Sequence, residues 1–192
     1  MALSASVPWR IHATLPRSRA NGPGERFVVW TQGCSLGCAG CFNPETHPAG
    51  SVAREVANVV REVLATPGIE GVTVTGGEPL EQPEALAAFV AGVRRAGLGV
   101  VVLTGFSRAE IATDPALTAA VAGVDLVIAG RYNRRLHLGA GLRGSSNKEY
   151  WDRTGRYSAA MLSAVPEVEV LIGRDGTVTV TGMVAAPGGG GQ

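Results

Sequence analysis

The sequence predicts an α/β fold: a parallel sheet covered by helices, in the form of an open, partial (βα) barrel with a C-terminal β-hairpin. Three observations carry this reading. Four short, nearly all-apolar runs alternate with helical patterns, as expected of strands buried on both faces by the helices between them. These βα units are too few to complete an eight-stranded barrel. After residue 150 the pattern changes to two alternating runs around Asp175-Gly176, a hairpin turn signal. With 192 residues, 45% of them hydrophobic and 17% charged, the chain suits one globular domain. That domain is expected over residues 1–183, followed by a disordered glycine-rich tail at 184–192.

The first expected strand is RFVVWT (26–31), which runs directly into a cysteine-containing loop. The segment 51–66 reads as a helix capped by Ser51, with Val52, Val56, Val59, Val60 and Val63 on one face. GVTVTGGEP (71–79) is a strand ending in glycines. Pro83 then stands near the first turn of a helix that buries Leu86, Phe89, Val90 and Val93. A third strand covers 99–105, a broken helical stretch 107–122, and a fourth strand 124–130. Residues 133–150 read as a loop and 168–182 as the hairpin.

Composition narrows the function. The formal net charge of +1 offers no electrostatic footprint for nucleic acid or an anionic membrane. Lys148 is the only lysine, so arginine supplies nearly all the positive charge. The most apolar window, 85–93, is about half a membrane span, and the first residues carry no export signal. A cytoplasmic location follows, where clustered thiols bind metal or perform redox chemistry.

All three cysteines, Cys34, Cys38 and Cys41, lie in TQGCSLGCAGCFNPETHP (31–48). The spacing lets three sulfurs converge on one small object from a single loop. Structural zinc normally takes four protein ligands, and His47 is the only nearby candidate for the fourth. A 4Fe–4S cluster can be held by three thiolates, leaving one iron open. The spacing favours the cluster and leaves zinc with His47 as an alternative.

The CxxxCxxC loop after a first strand, followed by GGEP (76–79) after the next, resembles the radical S-adenosylmethionine superfamily. Within it, NGPGERF (21–27), GCFNPETH (40–47), LTGF (103–106) and LRGSSN (142–147) resemble the activating enzymes of glycyl-radical proteins. The match is nearest to those of anaerobic ribonucleoside-triphosphate reductase. The resemblance implies a barrel of the radical S-adenosylmethionine type, with a 4Fe–4S cluster and S-adenosylmethionine as cofactors. Reductive cleavage of the latter gives a 5′-deoxyadenosyl radical that takes a hydrogen atom from the substrate. It also implies a glycyl-radical protein as partner and an electron donor such as flavodoxin or ferredoxin.

Carried onto this sequence, the resemblance makes Cys34, Cys38 and Cys41 the iron ligands. Gly76, Gly77 and Glu78 form the turn that receives the methionine amino group, glycine there permitting close backbone approach to a ligand. Gly40, Cys41 and Phe42 border the adenine, with Phe42 as an aromatic surface. Thr104, at the end of the third strand, is assigned to the cofactor ribose. The family often has an acidic residue after the fourth strand. Here Ala129, Gly130 and Arg131 stand instead, and Arg131 becomes a candidate partner for the cofactor carboxylate. Two rivals remain at this level: a stand-alone radical enzyme modifying a small molecule or peptide, and a non-catalytic zinc-binding interaction domain.

Overall fold

The computed structural model describes residues 6–50 and 52–183. Its elements in chain order are β1 (Pro8–Ser18), β2 (Arg26–Thr31), β3 (Ala53–Glu55), α1 (Val56–Leu64), β4 (Gly71–Gly76) and α2 (Pro83–Arg94). Then come β5 (Gly99–Leu103), α3 (Arg108–Thr113), α4 (Pro115–Ala120), β6 (Leu126–Ala129), β7 (His137–Ala140), β8 (Arg143–Ser145), β9 (Glu149–Asp152), α5 (Ala159–Ser163), β10 (Val168–Ile172) and β11 (Val178–Gly182).

Seven strands form one open sheet in the order β3-β1-β2-β4-β5-β6-β9. The centre, β2-β4-β5-β6, is parallel, with Phe27 beside Val72 and Val72 beside Val100. Both flanks are antiparallel: β1 on β2, β3 on β1, and β9 on β6. The result is an open α/β barrel segment with the β10–β11 hairpin as a separate two-stranded sheet.

Alternation along the central strands fixes two cores. Val72, Val74, Val100, Val102 and Val127 point to the helix side, where they meet Val59, Val60 and Val63 of α1 and Leu86, Phe89 and Val93 of α2. Val101, Leu126 and Ile128 point the other way, to Leu142, Tyr157, Leu162 and Val165 of the C-terminal segment. Burial on both faces explains why these strands are apolar throughout. Trp9 of β1 stacks at 4.8 Å on Phe89, which ties the antiparallel flank to α2. The inner face is plugged at the start of the strands by Arg26, which is fully buried. Its guanidinium donates to Thr73 Oγ1, Tyr157 Oη and the carbonyls of Pro23, Val72 and Gly99.

The structure moves several expected boundaries. The helix expected from residue 51 begins at Val56, and Val52 is 88% exposed instead of sharing the buried face. The reason is that Ala53–Glu55 pair with Pro8–Arg10 as an edge strand, which takes their backbone out of the helix. Ser51 and the tail 184–192 lie outside the described residues. The stretch expected to be loop at 133–150 contains β7 and β8, and β9 begins at its end. The break expected in 107–122 falls at Asp114, whose side chain accepts from the amides of Ala116 and Leu117 and so caps α4. Among the described residues no helix is long and apolar enough to cross a membrane.

Candidate cofactor and cluster site

The site lies at the C-terminal ends of the parallel strands, where open α/β sheets bind ligands. A cleft with about 700 Å³ of empty space is lined by Cys34, Cys38 and Cys41, by Gly76, Gly77 and Glu78, and by Thr104, Phe42 and Lys148. All three cysteines are free and half-buried. Residues from 34 to 148 therefore converge there.

The cysteine loop follows β2 and is anchored at several points. The Gly33 and Cys34 amides donate to the carbonyls of Thr46 and His47, at 2.8 and 3.1 Å. The Gln32 side chain donates to the carbonyls of Glu45 and Pro48, and Glu81 accepts from both the amide and hydroxyl of Ser35. Gly40 has φ +73° and makes the left-handed turn between Cys38 and Cys41. It is exposed and does not line the cleft. Its role here is conformational, since L side chains disfavour this region.

Gly76 and Gly77 meet a different constraint from the one expected. A Cβ on Gly76 would lie 2.6 Å from the Thr31 amide nitrogen, and one on Gly77 would overlap the Gly33 carbonyl oxygen. The space is filled by the backbone at the end of β2. The amides of Gly77 and Glu78 donate to the carbonyls of Thr31 and Gly33, each at 2.9 Å. These bonds clamp the glycine turn to the root of the cysteine loop. Gly77 lines the cleft, and its carbonyl accepts from no described residue.

Glu78 is fully buried, and its carboxylate is spent within the protein. It accepts from the Leu80 amide, the Thr104 hydroxyl and the Gly105 amide at 2.9, 2.7 and 2.7 Å. Burial raises its pKa, opposed by these hydrogen bonds and by Lys148. Thr104 donates its hydroxyl to Glu78 and accepts from the Phe106 amide. It lines the cleft with its hydroxyl already engaged. Glu78 and Thr104 together brace the ends of β4 and β5.

Phe42 lies in the cleft wall, with ring centroids of Tyr132 and His137 at 4.8 and 5.6 Å. A Cβ on Gly144 would sit 2.5 Å from the Phe42 ring, so glycine there lets the aromatic lie flat against β8. Arg131 is elsewhere. It pairs with Glu110 at 2.7 Å, donates to the Gly105 carbonyl and lies over the Phe106 ring, largely in solvent. It is not among the residues lining the cleft. Ala129, where the family's acid was expected, belongs to the helix-side core and is 2% exposed. An acid at that position would not face the cleft.

Lys148 was not anticipated as a site residue. Its ammonium donates to the carbonyls of Thr104, at 3.1 Å, and Gly130. An ammonium has three donors, and the described residues use two. Burial lowers its pKa, opposed by Glu78, Cys38 and Cys41. The only local signal was its being the sole lysine, in a segment read as loop.

The donor set suits an iron–sulfur cluster. Burial pushes the Cys34 and Cys41 thiols up, so thiolate there calls for a cationic partner. The Asn43 amide lies 3.5 Å from Cys41 Sγ as a donor. All three cysteines line one cleft. His47 also borders that cleft, with Nε2 buried and without a hydrogen-bond partner.

Comparison with known proteins agrees with this geometry. The family model described as "4Fe-4S single cluster domain" matches residues 20–151. The anaerobic ribonucleoside-triphosphate reductase-activating protein of Enterobacteria phage T4 is 32% identical over 146 residues, 72% of this chain and 91% of the phage protein. The pyruvate formate-lyase-activating enzyme of Listeria monocytogenes is 37% identical over 101 residues, 48% of this chain but only 40% of that enzyme. The crystal structure of QueE from Escherichia coli is similar at TM-score 0.45 and 16% identity, over 52% of this chain and 54% of its own. A three-cysteine loop, a glycine turn clamped to its root and a family match spanning both place the chain in one group: it belongs to the radical S-adenosylmethionine 4Fe–4S single-cluster family, as a member of the glycyl-radical-enzyme activase type.

Proposed function

We propose that this chain activates an anaerobic ribonucleoside-triphosphate reductase, by taking a hydrogen atom from a backbone glycine of that protein. The observation that carries this reading is the match to the phage reductase activator over nine-tenths of that protein's length, with Cys34, Cys38, Cys41 and the 76–79 turn on one cleft. The reaction belongs in the reducing cytoplasm, which suits three free thiols. A small donor such as flavodoxin or ferredoxin supplies the electron.

In this reading Cys34, Cys38 and Cys41 would hold the 4Fe–4S cluster. When bound and reduced, it would supply the electron for reductive cleavage of S-adenosylmethionine. The remaining work falls to the chain. The Gly77 carbonyl, free of described donors, accepts from the methionine amino group. The unspent donor of Lys148 meets the methionine carboxylate, a charge-assisted contact in a partly desolvated cleft. Phe42, fixed by Tyr132 and His137, supplies the face on which the adenine lies. Thr104 and Glu78 act by holding the walls in register. Docking of the partner must bring the glycine hydrogen within about 3–3.5 Å of the radical carbon.

The test is isotope transfer. A reductase partner deuterated at its glycine α-carbons should pass deuterium to 5′-deoxyadenosine and acquire a glycyl signal in electron paramagnetic resonance. Formation of unlabelled 5′-deoxyadenosine with no glycyl signal, from a cluster-loaded enzyme and folded partner, would refute it.

A further inference from the structure

We propose that His47 donates a hydrogen bond from Nε2 to a sulfur of the 4Fe–4S cluster, and so raises the reduction potential of that cluster. His47 lines the same cleft as Cys34, Cys38 and Cys41, and its Nε2 is buried without a hydrogen-bond partner. Among the described residues, buried unpartnered side-chain nitrogens also occur on Trp9, Arg10, Arg143 and Arg153, and none of those residues lines the cleft. The other two histidines are each engaged at Nδ1, His12 with Gln32 at 2.9 Å and His137 with Tyr132 at 3.3 Å. Buried donors in folded proteins are hydrogen-bonded. His47 therefore stands out as a donor reserved for what the cleft holds.

The imidazole is carried by a clamped backbone. The His47 amide donates to the Pro44 carbonyl, and the His47 carbonyl accepts from the Cys34 amide, each at 3.1 Å. Thr46, fully buried beside it, accepts from the Gly33 amide at its carbonyl and donates its hydroxyl to the Asn43 carbonyl. Gln32 donates to carbonyls on both sides of His47, those of Glu45 and Pro48, and His12 engages the other end of that side-chain amide. His47 is thus tied to the residue that bears the first sulfur. A ring on so fixed a root is preorganised to meet its acceptor.

The chemistry of the site says which acceptor that is. A neutral imidazole has one N–H, and with the proton on Nε2 the ring is a donor toward the cleft. Sulfur is the acceptor supplied there, by the thiolates and by the inorganic sulfides of a cluster. The Asn43 amide already approaches Cys41 Sγ as a donor at 3.5 Å, and His47 adds a side-chain donor to the same task. Reduction places further negative charge on the iron–sulfur framework, and a hydrogen bond stabilises the more negative state more strongly. As a fourth metal ligand His47 would instead present the Nε2 lone pair and close the site. The two roles need opposite tautomers, so they are separable. The inference rests on the cluster and not on the identity of the partner.

The experiment is a redox titration of the full chain, reconstituted anaerobically, with the reduced cluster followed by electron paramagnetic resonance and no S-adenosylmethionine or partner present. His47→Phe fills the space without an N–H, whereas His47→Gln keeps an N–H near the place of Nε2. His47→Phe should retain its iron and lower the midpoint potential by about 59 mV, a tenfold fall in the reduced-to-oxidised ratio at a fixed potential. His47→Gln should stay close to the wild-type midpoint. An unchanged midpoint in His47→Phe overturns the inference. So does a His47→Gln shift as large as that of His47→Phe, which would assign the effect to shape, or loss of iron from a folded variant, which would make His47 a ligand. If the variants fail to fold, electron–nuclear double resonance on the reduced wild-type chain, isotopically labelled at histidine nitrogen, gives an independent reading. A weak histidine coupling supports the hydrogen bond; the strong coupling of a bound imidazole, or none, overturns it. A wild-type chain that takes up no iron overturns the cluster assignment and this inference together. Failure to activate a reductase would leave the inference standing, because no partner enters the titration.

Discussion

Gly77→Ala separates two reasons for a glycine at the cleft. If glycine serves only ligand approach, the variant should fold normally, load its cluster and lose S-adenosylmethionine binding. The structure gives a different expectation. The new Cβ would overlap the Gly33 carbonyl oxygen and sit 3.0 Å from its carbon and 3.1 Å from the Thr31 oxygen. All of these are main-chain atoms of the segment that carries Cys34, so relief requires the backbone to move. Overpacking of this kind costs about 1–3 kcal/mol. The two clamp bonds, from Gly77 to Thr31 and Glu78 to Gly33, contribute roughly 0.5–1.5 kcal/mol each when intact. A total loss of about 2–6 kcal/mol is expected where both bonds go, with Cys34 displaced. Urea unfolding of the metal-free chain and iron content after anaerobic reconstitution should both fall. Gly37→Ala is the control, since a Cβ there meets nothing within 4 Å and pays only for its positive φ, about 1 kcal/mol. A Gly77→Ala protein with wild-type stability and full iron, defective only in cofactor binding, would refute the clamp argument.

Three further outcomes follow from the same geometry. Lys148→Met should weaken S-adenosylmethionine binding to the cluster-loaded enzyme roughly 10–100-fold, the range for a charge-assisted bond, whereas Arg131→Ala should leave it nearly unchanged; calorimetric titration giving the reverse order would move the anion contact to Arg131. Glu110 is held down to about 2 by Arg131 and the Ser107 cap, so its contribution is present above its ordinary range near 4.5 and is lost as pH falls from there toward 2; Arg131→Ala should flatten the acid limb of stability over that window, weakly at high salt because the pair is exposed, and an unchanged limb at low salt would count against the pairing. Arg26→Met should cost about 3–5 kcal/mol in urea unfolding, because Thr73, Tyr157 and three carbonyls lose their buried donors; a cost below about 1 kcal/mol would show that the plug relaxes around the loss.

The central sheet was legible because its strands are self-announcing. RFVVWT begins and ends at the residues read from sequence, its apolar run Phe27–Trp30 set between Arg26 and Thr31. The edges were not legible. In β1 the apolar alternation Trp9, Ile11, Ala13, Leu15 is broken by a register shift between Ile11 and Ala13, and Pro16 sits at a second one between Leu15 and Ser18. In β9 only four residues pair, and their partner β6 is chosen by tertiary register. Val52 fits the helical period of Val56 and Val60, but β1 claims the backbone between them. Local pattern loses to pairing there.

At the site, the sequence reported chemistry and left out convergence. Three cysteines in one loop and two glycines at a strand end are local signals. Lys148 reaches the carbonyl of Thr104 from 44 positions away, and no spacing rule connects them. The same holds for Glu78, whose position was legible and whose task was not. A carboxylate between the ends of β4 and β5 suits a ligand by type, yet its hydrogen bonds run to Leu80, Thr104 and Gly105. The glycine turn and Lys148 line the cleft beside it. The proposed function asks a carbonyl of that turn to meet an amino group and the Lys148 ammonium to meet a carboxylate. That pairing would match the two ends of an α-amino acid, with Glu78 engaged by the Leu80 and Gly105 amides and the Thr104 hydroxyl.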